Sequence, residues 1–415
     1  MPTVSQATPW KSDDWFVSPW NYFPEVRSQF AFPARVRLHD VSLRDGEQQA
    51  GLVFNKDQKI RLAEKLAEVG VHRIEAGMPA VSPQDEAAIR EIVKRNLGPE
   101  IFAFARCTIE DVKRAQDCGV RGVVVEIPSS EHIIREAYGW PVEKAIDLSI
   151  QATRFAHEQG LYTVFFPIDF SRADLEWGLT LLKRVATEGH MDALVGVDTF
   201  GVLSPHAVPY LIRRIKAEID KPLECHFHND FGMGVANTVM ALASGCEVAH
   251  TTIAGIGERA GNTPYEELAL ALLMLYGVDM GLRCDRLYET ARLLQEVAGI
   301  QIPTNRAVIG EMLYDIESGI IASWYRNCYH RTPTEIFPVR AEFIGRKPAR
   351  VVMGKGSGAD NVRLWREEDG LDATDEQVME LVALVKQESL AKGRLLTRDE
   401  FRSLALLVLS PARAG

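Results

Sequence analysis

The sequence predicts an α/β protein built on a (β/α)8 (TIM) barrel, followed by a helical lid and a small C-terminal helical region. From residue 35 to about residue 280, short β-branched and aromatic runs alternate with amphipathic helical patterns. The runs recur roughly every 30 residues, which suits a barrel of about 250 residues. An open doubly wound sheet gives the same alternation, so the strand count leaves that fold open. The eight predicted strands span residues 35–41, 72–76, 101–105, 122–127, 161–168, 193–198, 222–228 and 248–254.

Helix-end signals lie between these strands. Asn55 and Gln58 form a capping-box pattern at the start of the first amphipathic segment. The Ser-Pro pairs at 82–83 and 204–205 each place a capping residue before a proline, which is tolerated in the first turn of a helix. Each pair therefore predicts a helix start.

Four segments follow from this pattern. Residues 1–34, rich in Trp, Phe, Tyr and Pro, predict an aromatic arm that packs on another surface, such as a second subunit, or a loosely ordered terminus. Residues 35–280 form the predicted barrel and catalytic domain. Residues 281–345 predict a lid or linker with a helix over 307–330, and residues 346–415 predict a C-terminal helical subdomain.

Composition narrows the class of protein. Of 415 residues, 46% are hydrophobic and 25% charged, as in ordinary globular proteins, which excludes a disordered or collagenous chain. The net charge of −10 argues against a broad phosphate-binding face, so no nucleic-acid partner is expected. The sequence lacks both a membrane-spanning apolar run and a secretory signal, so we expect a cytoplasmic protein with no membrane partner.

His226 and His228 lie two residues apart in the seventh predicted strand. Alternation along a strand sends both side chains to one face, which in a barrel can be the interior. Position 228 is near the C-terminal end of the strand, where the active sites of such barrels lie. Two imidazoles on one face suit a divalent metal ion, although two polar residues at a metal-free barrel mouth give the same pattern.

The segment DVSLRDGEQ at residues 40–48 follows the first strand, which neighbours the last strands in a closed barrel. Asp45 can therefore complete a set with His226 and His228, and two histidines with one carboxylate leave coordination positions open. Arg44 supplies a fixed cation for a carboxylate or a developing enolate oxygen. A charged surface loop with no chemical role is the alternative interpretation.

A third motif, GIGERAGN at residues 255–262, follows the eighth strand, where barrels often bind anions. Together, LRDGEQ, HFHNDFGMGVAN and GIGERAGN resemble the motifs of the DRE-TIM metallolyase family. They are most similar to its Claisen-condensing branch, the isopropylmalate, homocitrate and citramalate synthases. The resemblance covers residues 35–280 strongly and 300–365 weakly.

The resemblance assigns roles to single residues. It implies that Asp45, His226 and His228 bind the metal and that Asn262 lies at the metal or just behind it. It further implies that Arg44, Glu75 and Asp169 are catalytic, and that Gln48 and Thr199 contact substrate. Two further candidates come from position alone. Arg106 ends the third strand and either meets a second substrate carboxylate or pairs with Glu126 or Glu75. His132 follows the fourth strand as an acid–base candidate, although helix capping by the serines before it explains that stretch equally well.

The chemistry that the resemblance implies is a condensation. A divalent ion (Mg²⁺, Mn²⁺, Zn²⁺ or Co²⁺) polarises the carbonyl of a 2-oxo acid, and an acyl-CoA, with acetyl-CoA expected, supplies the attacking carbon. Hydrolysis of the thioester then gives a 2-alkylmalate or homocitrate-type product. A homodimer is also implied.

Three positions depart from the family pattern. Asp169 stands where the synthases carry a glutamate, and Ile321 stands where a histidine helps to form the acetyl-CoA enolate. Gly356 replaces a second histidine. Isoleucine cannot transfer a proton, so acetyl-CoA is less firmly implied than the metal. Tyr325, Tyr329 and His330 either take over the role of the missing histidine or are ordinary packing residues.

These departures keep two other hypotheses open. In the first, the protein is a metal-dependent carbon–carbon lyase or aldolase that acts on a 2-hydroxy or 2-oxo acid without CoA. In the second, it is a catalytically silent barrel that binds a metal–carboxylate ligand or a partner protein. The intact set of Arg44, Asp45 and the histidine pair argues against a silent barrel, because sequence drift would be expected to spoil it.

Overall fold

The computed structural model describes residues 8–409. They form two compact units, Trp20–Ile302 and a second unit made of residues 8–19 and 303–409. The four segments predicted from the sequence stay a prediction.

The predicted (β/α)8 barrel is confirmed in the first unit. Eight parallel strands pair in chain order, and the first also pairs with the eighth, so the sheet is closed rather than open. The ends of these strands differ from the predicted ends by at most three residues. The strands are β1 (Arg37–Asp40), β2 (Arg73–Glu75), β3 (Glu100–Arg106), β4 (Gly122–Pro128), β5 (Tyr162–Ile168), β6 (Ala193–Asp198), β7 (Leu223–Phe227) and β8 (Val248–Thr251).

Helices surround this barrel, and two of the three predicted starts are correct. Gln58 N–H donates to Asn55 over 3.0 Å and Asn55 N–H donates to Gln58 over 2.8 Å, which is the predicted capping box. Ser82 caps the next helix before its proline. The prediction at 204–205 is wrong, because residues 205–207 form a turn that precedes the helix. The helices are α1 (Pro24–Arg27), α2 (Lys56–Val69), α3 (Pro83–Arg95), α4 (Ile109–Asp117), α5 (Glu131–Glu136), α6 (Val142–Glu158), α7 (Leu175–Glu188), α8 (Val208–Glu218), α9 (Gly234–Leu242), α10 (Tyr265–Leu270) and α11 (Leu287–Ala298).

The barrel interior is apolar along β3 to β6 and becomes polar at the C-terminal ends of β3 and β4. Phe166 of β5 contacts the rings of His226 and His250 across the barrel, which identifies the inward face. Because side chains alternate along a strand, the next inward positions on β3 and β4 are Arg106 and Glu126. The apolar cluster below them contains Phe102, Phe104, Val124, Val164, Phe166, Ala193, Val195 and Val197.

The second unit combines the N-terminal segment with the C-terminal helices. Trp15 is buried and packs edge-on against Phe343, with ring centroids 5.7 Å apart. The predicted helix over 307–330 is wrong in its first half, where the chain forms turns and a short strand. Within this stretch Val308 has φ 65°, which is outside the helical region, and an added Cβ at Gly310 would lie 2.5 Å from the Arg306 nitrogen. The elements are β9 (Asp315–Ile316), α12 (Gly319–Trp324), β10 (Arg350–Val351), α13 (Ala359–Glu368), α14 (Asp375–Lys392) and α15 (Arg398–Leu409). Within residues 8–409, every helix is too short or too polar to cross a membrane.

Candidate metal centre

Three predicted metal ligands meet at the mouth of the barrel. Asp45 lies in the turn after β1, His226 lies in β7, and His228 directly follows β7. The two Nε2 atoms are 3.2 Å apart. Asp45 Oδ2 lies 3.7 Å from His226 Nε2, and Asp45 Oδ1 lies 3.9 Å from His228 Nε2. The fold therefore brings together the two imidazoles and the carboxylate.

These separations fit one small divalent ion. Two ligand atoms that each lie about 2.0–2.2 Å from one ion are themselves roughly 3–4.4 Å apart, and all three separations fall in this range. Burial holds the pKa of His226 well below its usual value, so the imidazole is in its neutral, metal-binding form. This donor set is compatible with Mg²⁺, Mn²⁺, Zn²⁺ or Co²⁺.

The carboxylate of Asp45 is fixed from two sides. Arg44 Nη1 donates to Oδ2 over 2.6 Å, and Asn262 Nδ2 donates to Oδ1 over 2.6 Å. Although burial opposes ionisation, the charge of Arg44 and the hydrogen bond from Asn262 hold the pKa of Asp45 well below its usual range. With its amide turned this way, Asn262 holds Asp45 in place, and its role as a ligand stays a prediction.

Arg44 is held inside the mouth by Glu75 and by Asp45. Its Nε donates to Glu75, and its guanidinium lies 3.8 Å from the centre of the Phe104 ring. Nη2 is buried without a hydrogen-bond partner among residues 8–409. A guanidinium that is fixed in this way presents donors of set direction to an oxygen of a substrate.

The GIGERAGN loop closes against the same carboxylate. Gly257 has φ 147°, and a Cβ there would lie 2.2 Å from Asn262 Nδ2. Gly261 has φ 80°, and a Cβ there would lie 1.9 Å from the carbonyl oxygen of Gly255. Only glycine fits at these two positions, which explains why the motif places Asn262 against Asp45.

Asp169 and Thr199 contact each other beside the mouth. The Asp169 N–H donates to Thr199 Oγ1 over 2.8 Å. Both carboxylate oxygens of Asp169 are occupied: Arg172 Nε donates to Oδ1 over 2.6 Å, and Ser130 Oγ donates to Oδ2 over 2.5 Å. His132 Nε2 lies 3.2 Å from the same Oδ2. The predicted catalytic role of Asp169 stays a prediction, in surroundings that suit a positioning group.

Gln48 and Arg106 lie at the rim. Gln48 is exposed, with its Oε1 3.4 Å from Arg44 Nη1. Arg106 Nε donates to Asp111 Oδ2 over 2.6 Å, so its ionic partner is neither Glu126 nor Glu75. Thr108 caps α4 and thereby sets the position of Asp111, a local signal that the sequence analysis did not use. The substrate-binding roles of Gln48, Arg106 and Thr199 stay predictions.

Glu126 is a functional candidate to which the sequence analysis assigned no role. It lies on β4 beside Arg106 of β3 and Phe166 of β5. Burial raises the pKa of Glu126 to about 7, although Arg44 and Arg106 oppose this. The sequence signal is a single charged residue at an inward position of an otherwise apolar strand.

A second set of potential ligands, His39, Glu224 and His250, lies deeper in the barrel. His250 Nε2 lies 2.8 Å from Glu224 Oε2, and Arg73 Nη1 donates to Glu224 Oε1 over 2.6 Å. Because the arginine already neutralises Glu224, this set is best described as an ion-pair network of the core.

Comparison with known proteins places this site in a family. The sequence profile of the HMGL-like family matches residues 35–294. A protein of Archaeoglobus fulgidus that carries the name (R)-citramalate synthase is 38% identical over 380 residues, which are 91% of this chain and 76% of that protein. The chain belongs to the HMGL-like family. The resemblance predicted from the three motifs is confirmed.

Other relatives of this HMGL-like protein carry synthase names. Homocitrate synthase AksA of Methanothermobacter thermautotrophicus is 34% identical over 397 residues, 96% of this chain and 99% of that protein. Among solved structures, an HMG-CoA lyase of Bacillus subtilis has a TM-score of 0.59 at 21% identity, over 66% of this chain and 97% of that one. The hydroxymethylglutaryl-CoA lyase of Pseudomonas aeruginosa has a TM-score of 0.56 at 23% identity, over 65% of this chain and 95% of that one. At these identities, the two lyases support the barrel fold alone.

Proposed function

We propose that this HMGL-like protein is a divalent-metal-dependent acyltransferase that condenses an acyl-CoA, with acetyl-CoA expected, with a 2-oxo acid. The product is a 2-alkylmalate or homocitrate-type acid. The observation that carries the proposal is the convergence of Asp45, His226 and His228 beside Arg44 at the barrel mouth. The synthase names of the relatives favour condensation as the direction of reaction.

Each residue of the centre has a definable task. Asp45, His226 and His228 hold the divalent ion, which when bound polarises the carbonyl and carboxylate of the 2-oxo acid. Glu75 fixes Arg44, so that Nη2 can donate to the substrate oxygen that gains negative charge. Such a donor stabilises the transition state more than the ground state because the charge develops during the reaction.

The remaining predicted residues bind the substrate or position other side chains. Thr199 Oγ1 accepts a hydrogen bond from the Asp169 N–H, and the Thr199 carbonyl oxygen accepts a hydrogen bond of 2.6 Å from Arg259 of the GIGERAGN loop. In this proposal, Thr199, Gln48 and Arg106 bind the polar groups of the substrate. The lyase alternative rests on Ile321 alone.

The test is release of CoA. Thiol release should require a 2-oxo acid, an acyl-CoA and one of Mg²⁺, Mn²⁺, Zn²⁺ or Co²⁺, and mass spectrometry should detect the condensed acid. An Asp45→Asn variant serves as the inactive control. Absence of thiol release across a broad panel of both substrates contradicts the proposal. Cleavage of a carbon–carbon bond in a 2-hydroxy acid, giving a 2-oxo acid and a second carbon fragment without CoA, supports the lyase instead.

We also propose that the protein is a cytoplasmic homodimer. The family resemblance supports this, and α12 exposes 67% of Ile320 and 50% of Trp324, apolar side chains of the kind found at interfaces. Light scattering coupled to gel filtration should give the mass of two chains. A mass of one chain at micromolar concentration contradicts the dimer.

A further inference from the structure

We infer that Glu126 is a further catalytic residue of the proposed condensation, acting first as base and then as acid; this inference rests on the proposed function. The Glu126 carboxylate takes a proton from the α-carbon of the acyl-CoA, so that a C–H bond breaks and an O–H bond forms. The electron pair left on the α-carbon forms the new bond to the 2-carbon of the 2-oxo acid. The carbonyl electron pair moves to its oxygen, which then receives the proton back from Glu126.

Packing around Arg44 places it beside Glu126. Its guanidinium lies 3.8 Å from the centre of the Phe104 ring on β3 and 5.8 Å from that of Phe166 on β5. These two inward rings flank β4, and Glu126 is the register partner of Phe166. The guanidinium of Arg44 therefore lies over the inward face of β4, the strand that carries Glu126.

This arrangement connects Glu126 to the proposed metal site through one residue. Arg44 donates to Asp45 over 2.6 Å, and its buried Nη2 has no hydrogen-bond partner in the described part of the chain. A substrate oxygen bound by Nη2 would lie near the Glu126 carboxyl. That is the oxygen that must be protonated once the carbon–carbon bond has formed.

Glu126 is also more available than the other carboxylates at the mouth. Glu75 accepts from Arg44, Asp45 faces the two imidazoles, and Asp169 is bound by Arg172 and Ser130. No side-chain hydrogen bond of Glu126 occurs within residues 8–409. Glu126 is half-buried and lies two residues before the C-terminal end of β4, at the mouth of the barrel.

The inward residue at the end of β5 strengthens this argument. Ile168 packs against the apolar interior, whereas Asp169 turns into the left-handed region at φ 63° and binds Arg172. Neither Ile168 nor Ile321 can transfer a proton. Glu126, on the neighbouring strand, is the inward group near this position that can.

The electrostatic surroundings suit both halves of the proton transfer. Burial raises the pKa of Glu126 to about 7 and outweighs the two arginines. Near neutral pH both forms are populated, which favours a group that must accept and then return a proton. The titratable and charged groups that face Glu126 are Arg44, Arg106, Glu75, Asp111, Tyr138 and Cys107.

The first test is Glu126→Gln, which keeps the shape of the side chain but cannot accept the proton. We expect kcat to fall at least about 100-fold, the usual contribution of a general acid–base group, with the KM for the 2-oxo acid changed less than about threefold. The limb of the kcat/KM profile near pH 7 should disappear. Glu126→Asp should restore part of kcat, and Glu110→Gln, at an exposed position of α4, should behave as wild type.

A second measurement does not depend on turnover. In protein labelled with ¹³C at glutamate carboxyls, one resonance should titrate near pH 7 and be missing from Glu126→Gln. If Glu126→Gln does not fold, Glu126→Asp decides: a shifted limb of its pH profile supports the inference, and an unchanged limb overturns it.

The outcomes separate this inference from the proposed function. A wild type that releases CoA, with a Glu126→Gln variant that keeps its kcat and its pH limb, overturns the inference alone. A higher KM at unchanged kcat also overturns it, because Glu126 would then only bind substrate. A wild type that never releases CoA overturns the proposed function and this inference with it.

Discussion

The guanidinium of Arg44 and the carboxylate of Asp45 are hydrogen-bonded over 2.6 Å although the two residues are consecutive in the chain. The tight turn after β1 makes this contact possible, since the N–H groups of Arg44 and Gly46 both donate to the carbonyl of Val41. The turn directs both side chains into the barrel mouth. The proposed ligand and the proposed oxygen-binding cation therefore form one rigid unit.

Replacing Asp45 should abolish metal binding. Asp45→Asn keeps the volume but removes the charge that the two imidazoles face. We expect metal affinity to fall more than about 100-fold, because changes behind metal ligands already cost about 10–100-fold. Titration calorimetry with Mn²⁺ or Co²⁺ measures this, and circular dichroism checks that the variant is folded.

Two other variants calibrate that result. Asn262→Ala removes the hydrogen bond to Asp45 but leaves the three proposed ligands, so its metal affinity should fall by about 10–100-fold. Asp117→Asn, at an exposed position of α4, should leave the affinity unchanged. Wild-type affinity in Asp45→Asn would show that the metal centre lies elsewhere.

Arg44→Lys should impair catalysis more than metal binding, because a lysine at this position keeps a positive charge beside Asp45. The lysine ammonium places its three donors on one nitrogen, so it cannot reach Glu75, Asp45 and a substrate oxygen at the separate positions that Nε, Nη1 and Nη2 of the guanidinium fork occupy. We expect kcat to fall by about 10²–10³, as when a donor to a developing oxyanion is lost. Steady-state kinetics measures this, with Arg114→Lys on the surface of α4 as the matched control. A kcat within about threefold of wild type would remove Arg44 from the proposed mechanism.

The sequence predicted the barrel and the convergence of its metal ligands because both follow from strand periodicity. Alternation alone places His226 and His228 on one face, and closure of the sheet brings the turn after β1 next to β7 and β8. Neither inference needs side-chain detail.

Other features depended on local conformations that periodicity does not encode. Asp169 adopts a left-handed conformation at φ 63°, and its carboxylate binds Arg172 and Ser130. Arg106 finds Asp111 because Thr108 caps α4 between them. The helix expected over 307–330 does not form in its first half, where Val308 is left-handed at φ 65°. Each of these features depends on a single torsion angle or contact, which a pattern of residue types does not specify.

Asp169 offers a test between a catalytic and a positioning role. Asp169→Ala removes a buried carboxylate that binds Arg172 and Ser130. It should lower the free energy of unfolding by about 3 kcal/mol, the low end for breaking a buried pair, because Arg172 is 38% exposed and can reach water. Asparagine tolerates the left-handed backbone, so Asp169→Asn should lower the free energy of unfolding by less.

Activity of the asparagine variant separates the two roles. If Asp169 only positions Thr199 and the loop after β5, Asp169→Asn should keep kcat within about tenfold of wild type. Urea denaturation and steady-state kinetics on the same preparations measure both quantities. A kcat loss of about 10³ or more at unchanged stability would instead support the catalytic role predicted from the sequence.

Stability should decrease on acidification because His39 is buried in neutral form. Burial, assisted by His250, lowers the pKa of His39 from 6.5 to about 4. Between these values the unfolded chain binds a proton that the folded chain does not, so the free energy of unfolding falls as the pH drops through this window. The difference corresponds to about 3 kcal/mol over the whole window.

The contribution of His39 can be isolated by comparing slopes. Other histidines add to the same trend in wild type, such as half-buried His72, whose pKa burial lowers to about 4. His39→Gln should therefore lose about 2–3 kcal/mol less than wild type between pH 7 and pH 4.5 in urea unfolding experiments. His206→Gln, at an exposed position before α8, should keep the wild-type slope. Equal slopes in wild type and His39→Gln would mean that His39 is protonated in the folded protein, and that the network of Glu75, Glu224 and His250 holds it as a cation.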